Sequence, residues 1–226
     1  MAAKPIECLL IPKPVIVYPE SDGEPMGETE WHVVTLLALL HLLRERFKDR
    51  PEVHAGGNLF IYFEEGDPAQ VVCPDLFVAF GAKPGLRRTW KTWEEDGLFP
   101  QVILELLSSS TRRTDLGAKR GAYEALGVEE YFTYEPPDEY VEPRLRGWRR
   151  QGEVLVPLDP QRTDDGRLRL DSERLGLFLE DEGDRLRFRD RETGEPLPFA
   201  EEEAEARRKA EAEVERLRAE LDRLRR

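Results

Sequence analysis

Cysteine and asparagine are nearly absent from this chain of 226 residues. The two cysteines, Cys8 and Cys73, are too few for a disulfide framework and form no CxxC pair of the kind that holds zinc. The three histidines, His32, His41 and His54, follow no metal-ligand spacing. No apolar run approaches the roughly 20 residues needed to cross a bilayer. Residues 1–7 lack the basic stretch, hydrophobic core and small-residue cleavage site of a signal peptide. These absences lead us to expect a cytoplasmic protein with no membrane partner. Positive charge is short as well: 34 Lys and Arg against 47 Asp and Glu leave a net charge of −13. Generic nucleic-acid binders carry basic surfaces because phosphate neutralisation drives their affinity. Any nucleic-acid groove here must therefore come from local clusters, and Arg87-Arg88, Arg112-Arg113 and the arginines of 144–150 are the candidates.

What remains is enough for one domain with a true core, or for one domain and an appendage. Residues 1–27 are proline-rich and read as an N-terminal arm. Over 28–48, Leu36, Leu39, Leu40 and Leu43 recur at helical spacing, and Pro51 enforces a stop. Strand character follows at 58–63, at 70–80 and at 101–107, the last nearly all apolar, as a strand buried on both faces should be. A helix over 114–126 ends at Gly127, and 128–134 reads as a further strand stopped by Pro136-Pro137. This order implies an α/β (α+β) domain with a central mixed β-sheet flanked by helices. Short strands with glycine turns over 140–188 read as a peripheral β extension of the same domain, which then spans 28–198. Residues 199–226 form a charged helix in which Val214, Leu217, Leu221 and Leu224 make a short, coiled-coil-like heptad seam. A helix this short is marginal alone, so it is expected to pair with a second copy or pack on the body; the alternative is a fraying tail.

Two carboxylates stand where carboxylates are costly. Glu105 interrupts the apolar run 102–107, and Asp75, after Pro74, sits between Val71-Val72 and Leu76-Phe77-Val78. An isolated charge in a buried strand costs several kcal/mol unless it is paired or bound to metal. Glu105 could instead meet a buried arginine, and Pro74-Asp75 could be a turn or bulge. Two such strands side by side would set like charges together, an arrangement that a divalent cation relieves. Magnesium suits it, because it takes one or two carboxylates and fills its remaining positions with water and phosphate oxygen. Downstream, Asp115 and Lys119 are four residues apart on one helical face. Taken alone they are a first-turn acid and its surface ion-pair partner, but this helix leaves the strand of Glu105 and can lay Lys119 over the carboxylates.

These segments resemble the Uma family of bacterial restriction-endonuclease-like proteins. The likeness rests on Pro74-Asp75, on Val102 through Thr111, on Asp115, Lys119 and Tyr123, and on Gly127-Val128-Glu129-Glu130-Tyr131-Phe132. Weaker likeness extends over Trp90 to Pro100, over Arg189 to Gly194 and along the charged C-terminal helix. The resemblance implies the PD-(D/E)XK nuclease fold and a Mg2+-dependent endonuclease acting on DNA, with Mn2+ as a substitute ion. It implies Asp75 and Glu105 as the acidic metal ligands, with the Leu106 backbone carbonyl as a further one. The lysine that the family pattern places two residues after Glu105 is Leu107 here, which makes Lys119 the substitute. Glu30, His32 and Asp115 are auxiliary candidates. Restriction-like nucleases often act as homo-oligomers, and the terminal heptads offer one means. The alternative expectation is a nuclease-fold protein that no longer cuts and serves as a binding or assembly module.

Overall fold

The computed structural model describes residues 16–21, 23, 28–107, 115–135 and 143–225. Helix α1, Glu30–Arg46, begins where Thr29 accepts a hydrogen bond from the His32 N–H at 3.2 Å. Glu30 in its first turn and Arg44 and Arg46 in its last complement the helix dipole. Leu36, Leu39, Leu42 and Leu43 are buried on one face together with His32. Leu40, expected in the stripe, is only half-buried, and Leu42 takes its share of the core.

The central sheet has six strands in the order β1 (Val53–Gly56), β4 (Leu76–Phe80), β6 (Val102–Leu106), β7 (Glu130–Tyr134), β8 (Leu145–Gln151) and β9 (Val154–Pro157). Only β6 and β7 run parallel; the other neighbours are antiparallel, so the sheet is mixed. Every residue of β6 and β7 is buried, as the apolar runs require of strands covered on both faces. Alternation along β6 sends Val102, Leu104 and Leu106 into a core shared with the α1 leucines. Ile103 faces the opposite core, built on Trp90, Tyr123, Tyr131 and Trp148. By the same alternation Glu105 belongs to that second face.

The run 70–80 is two strands. β3 (Val71–Val72) pairs with β2 (Ile61–Tyr62), which also pairs in parallel with β5 (Trp90–Lys91), while β4 joins the central sheet. Cys73-Pro74-Asp75 is the break between them, and Pro74, which has no N–H, cannot continue a ladder. Of 58–63 only Ile61–Tyr62 is strand.

The region expected as a peripheral extension is not peripheral. β8 and β9 complete the central sheet, and a second sheet, β10 (Gln161–Arg162), β11 (Leu168–Ser172), β12 (Leu177–Asp181) and β13 (Leu186–Asp190), covers the α1 side. Leu170, Leu177, Leu179, Leu186 and Phe188 pack with Leu39, Leu43 and Leu104 in one cluster. The segment 128–134 begins its strand at Glu130, and the helix over 114–126 has two parts, taken up below. The last helix, Ala200–Leu224, buries none of its own residues. Its entry is fixed by Phe199, which is buried under the guanidinium groups of Arg187 and Arg185 at 4.4 and 5.2 Å. Glu202 accepts the Phe199 N–H at 2.9 Å and a bidentate pair from Arg187, both contacts at 2.8 Å. Among the described residues, no helix is long and apolar enough to cross a membrane.

His54 on β1 packs against Phe77 and Trp90 and meets the Arg87 guanidinium at 3.2 Å through Nδ1. Burial, then the charges of Arg87 and Arg44, push its pKa down from 6.5 to about 4. Folding thus disfavours the protonated ring, so this contribution to stability is complete above pH 6.5 and is lost as pH falls toward about 4. Urea unfolding across that window should show a shallower loss for His54→Gln than for the native chain; equal slopes would remove His54 as the cause.

Candidate active site

Asp75 is set in place by its neighbours' backbone. Continuing the β4–β6 register, in which Leu76 faces Leu104, by one residue puts Asp75 beside Glu105. From the other side Asn58, in a left-handed conformation at φ 48°, donates its N–H to the carbonyls of Pro74 and Asp75 at 3.1 and 3.2 Å. Gly57 lies so close that a Cβ there would fall 2.4 Å from the Asp75 carbonyl oxygen. Only glycine permits that approach.

The two carboxylates then hold each other's strands. The Asp75 N–H donates to Glu105 Oε2 at 3.3 Å, and the Leu106 N–H donates to Asp75 Oδ2 at 2.7 Å. Glu105 is fully enclosed, while the Asp75 side chain keeps 15% of its surface open. The remaining Glu105 oxygen, Oε1, accepts the Tyr123 hydroxyl at 2.6 Å and faces Lys119 Nζ at 3.3 Å. Among the described residues, Lys119 brings a cation to Glu105 from the helix that follows β6. Burial first, then the charge of Glu105, drives the Tyr123 phenol far above its ordinary range, so it remains a donor.

Lys119 and Tyr123 come from a helix that is not uniform. Asp115–Lys119 is a π-helical turn that runs into α2, Arg120–Ala125, and Gly127 at φ 84° closes it. Such wide turns recur at functional sites, because they re-aim side chains that a regular helix would direct elsewhere. The stretch 108–114, with its serines and Arg112-Arg113, and the side chain of Asp115 lie outside the described residues.

On the opposite side of Asp75, His32 from α1 brings Nε2 to 3.3 Å of Oδ1, with Nδ1 at 3.3 Å from Glu28 Oε2. The approach to Oδ1 is too poorly aligned for a strict hydrogen bond. Its proximity is nonetheless the leading influence that raises the His32 pKa, against burial, which lowers it. The structure therefore gathers Asp75, Glu105, Lys119 and His32 in one place. Glu30 is directed elsewhere: it lines an apolar groove of about 470 Å³ with Trp31, Val34, Leu186 and Phe199. Leu106 contributes its N–H to the cluster.

Three participants receive no role from the sequence. Glu28 precedes the periodic part of α1, and Gly57 carries no signal until β4 is docked. Tyr123 enters there only through the family resemblance, although it lies four residues after Lys119 and so on its face. Among the described residues, most arginines of the two visible clusters, at 87–88 and 144–150, are committed to the protein itself. Arg87 pairs with Glu95 at 2.7 Å, Arg144 with Asp181 at 2.9 Å and Arg149 with Glu130 at 3.0 Å, and Arg146 binds the buried Glu135.

The family model for Uma2, described as putative restriction endonuclease, matches residues 19–170, and the chain belongs to that family. Among solved structures, the chain is similar to a putative nuclease belonging to DUF820 from Anabaena variabilis ATCC 29413. The two are 16% identical, with a TM-score of 0.47, over 67% of this chain and 76% of that one. No curated protein matches.

Replacing Tyr123 with Phe should strand Glu105 Oε1 with one donor fewer in a buried site and lower unfolding free energy by about 1–3 kcal/mol. Chemical denaturation measures this directly. Unchanged stability would mean that the hydroxyl does not hold Glu105.

Proposed function

We propose that this chain is a metal-dependent endonuclease that hydrolyses phosphodiester bonds in DNA, with Asp75 and Glu105 holding Mg2+. The observation that carries the reading is one contact set: Lys119 Nζ lies 3.3 Å from Glu105 Oε1, while the Asp75 N–H occupies the same carboxylate's Oε2 at 3.3 Å. A cation-binding pair and a phosphate-directed ammonium thus share one carboxylate.

The donor set fits a small hard ion. Among the described residues no group of three or more His, Cys, Asp or Glu side chains is disposed to hold a metal. The neighbouring carboxylates of Asp75 and Glu105 suit Mg2+, or Mn2+ in its place, which binds through one or two carboxylates and keeps positions for water and phosphate. The Leu106 carbonyl is the proposed third protein ligand. When bound, such an ion supplies Lewis acidity to the scissile phosphate and lowers the pKa of water.

The chain's own groups do the remainder. Asp75, the more open carboxylate, faces the substrate side, and Glu105 is locked by Tyr123 so that its oxygens do not swing on substrate arrival. Lys119 orients the attacking water and places positive charge where the phosphate gains negative charge. His32 steadies Asp75 from α1, and Glu28 steadies His32 in turn.

A second reading, a fold relative that binds or assembles without cutting, is favoured by the net charge of −13 and by the intramolecular pairing of Arg87, Arg144, Arg146 and Arg149. Calorimetric titration of the folded chain with Mg2+ or Mn2+ separates the two, since only the nuclease needs to bind the ion.

Purified protein should nick plasmid DNA when Mg2+ is added. Asp75→Ala and Glu105→Ala should abolish that activity, and Lys119→Ala should reduce it by about 10²–10³-fold, as loss of one electrostatic stabiliser does. Cleavage rates equal to wild type in all three folded variants would end this mechanism, and preference for an RNA duplex would reassign the substrate.

A further inference from the structure

The C-terminal helix carries an apolar seam with nothing against it in the described residues. Val214, Leu217, Leu221 and Leu224 are 46%, 52%, 49% and 81% exposed. They recur at intervals of three and four residues, the spacing of core positions in a two-helix coil. Taking Val214 and Leu221 as a and Leu217 and Leu224 as d, the flanking g positions are Glu213 and Glu220, and the e positions are Arg218 and Arg225. Both of these g positions are acidic and both of these e positions are basic; the e position one heptad earlier, Glu211, is acidic.

That pattern selects both the occupant and its direction. In a parallel, in-register pair, each g residue faces the e residue five positions further along the other helix. Glu213 then meets Arg218, and Glu220 meets Arg225, on both sides of the seam. In an antiparallel pair g faces g and e faces e, which sets Glu against Glu at every g contact and leaves Glu211 as the one e residue that can oppose an arginine. Val214 at a with Leu217 at d is a two-strand combination, which Leu221 at the other a position does not share. One heptad earlier the a position is Arg207 and the d position Ala210, so the apolar seam belongs to the helix's C-terminal half.

We propose that the seam from Ala210 to Leu224 is the interface of a parallel, in-register homodimer, with a second copy of this chain as the occupant. The Glu213–Arg216 contact at 2.6 Å within the helix lies at the surface and exchanges for the contact between copies without leaving a buried charge. Because Phe199 and the Arg187–Glu202 pair lock the first turn to β13, a parallel coil carries both folded bodies at its N-terminal end. The two Asp75–Glu105 clusters are then on the same end of the assembly. This inference does not depend on the chemistry of that cluster.

Sedimentation equilibrium of the full chain at micromolar concentration should give the dimer mass, and Leu217→Glu/Leu221→Glu should give the monomer mass. The body of that variant should keep its cooperative unfolding transition, since neither residue is buried. For direction, Leu217→Cys chains under mild oxidant should cross-link to themselves well above the background set by the unmodified chain and its two native cysteines. A mixture of Leu217→Cys and Leu221→Cys chains should form no excess of mixed product. A monomeric native chain, a seam variant that remains dimeric, or preferential 217-to-221 cross-linking would each overturn the proposal, the last by showing an antiparallel pair.

Discussion

The site depends on a reciprocal hydrogen-bonded latch between two strands. Asp75 gives its N–H to the Glu105 carboxylate, and the peptide after Glu105 gives its N–H to the Asp75 carboxylate. Neither acid could be buried alone, since an unpaired interior charge costs several kcal/mol. Here each carboxylate meets donors that the other's strand must expose in any case. The arrangement works only in one register of β4 against β6, because a slip of one residue turns the acids to opposite faces. Gly57 and Asn58 defend that register from the side of β1, and Tyr123 and Lys119 close it from the helix that follows β6. The fold and the chemistry therefore share a single constraint.

That sharing explains why the site could be read from the residues. A carboxylate in the middle of Val-Ile-Leu-Glu-Leu-Leu is conspicuous because it violates local patterning, and Asp75 violates it in the same way. Lys119 could be named because the family resemblance moves the lysine to the helix after β6, and helical spacing lets that helix lay it over the carboxylates. His32 lay near the start of a strongly periodic helix, which is the easiest element to place. Glu30, two residues earlier, lies on another face of that helix, and the turn of the helix takes it to the Phe199 groove.

What could not be read depends on contacts remote in sequence. β8 and β9 join the central sheet by pairing with the strands just before them, β8 on β7 and β9 on β8, yet nothing local to Leu145–Gln151 says that they extend that sheet rather than the second one. The break at Cys73-Pro74-Asp75 looks continuous because both halves are apolar, although they serve different sheets. The π-helical turn has no compositional mark. The arginines had the appearance of a binding surface, yet Glu95, Asp181, Glu130 and Glu135 receive them, because an acidic chain with buried carboxylates needs those cations internally. The net charge was informative for that reason: among the described residues, most basic groups that the clusters suggested for a ligand are occupied in holding the fold.

The central claim is that the latched carboxylates exist to share a divalent cation. Crystals of the full chain soaked in Mn2+, with data collected near the manganese absorption edge, test it most directly. The account expects an anomalous peak between the Asp75 and Glu105 carboxylates, within coordinating distance of both. A well-ordered site with no peak there, and with Lys119 still seated on Glu105 Oε1, would contradict it and leave the pair as a structural network alone.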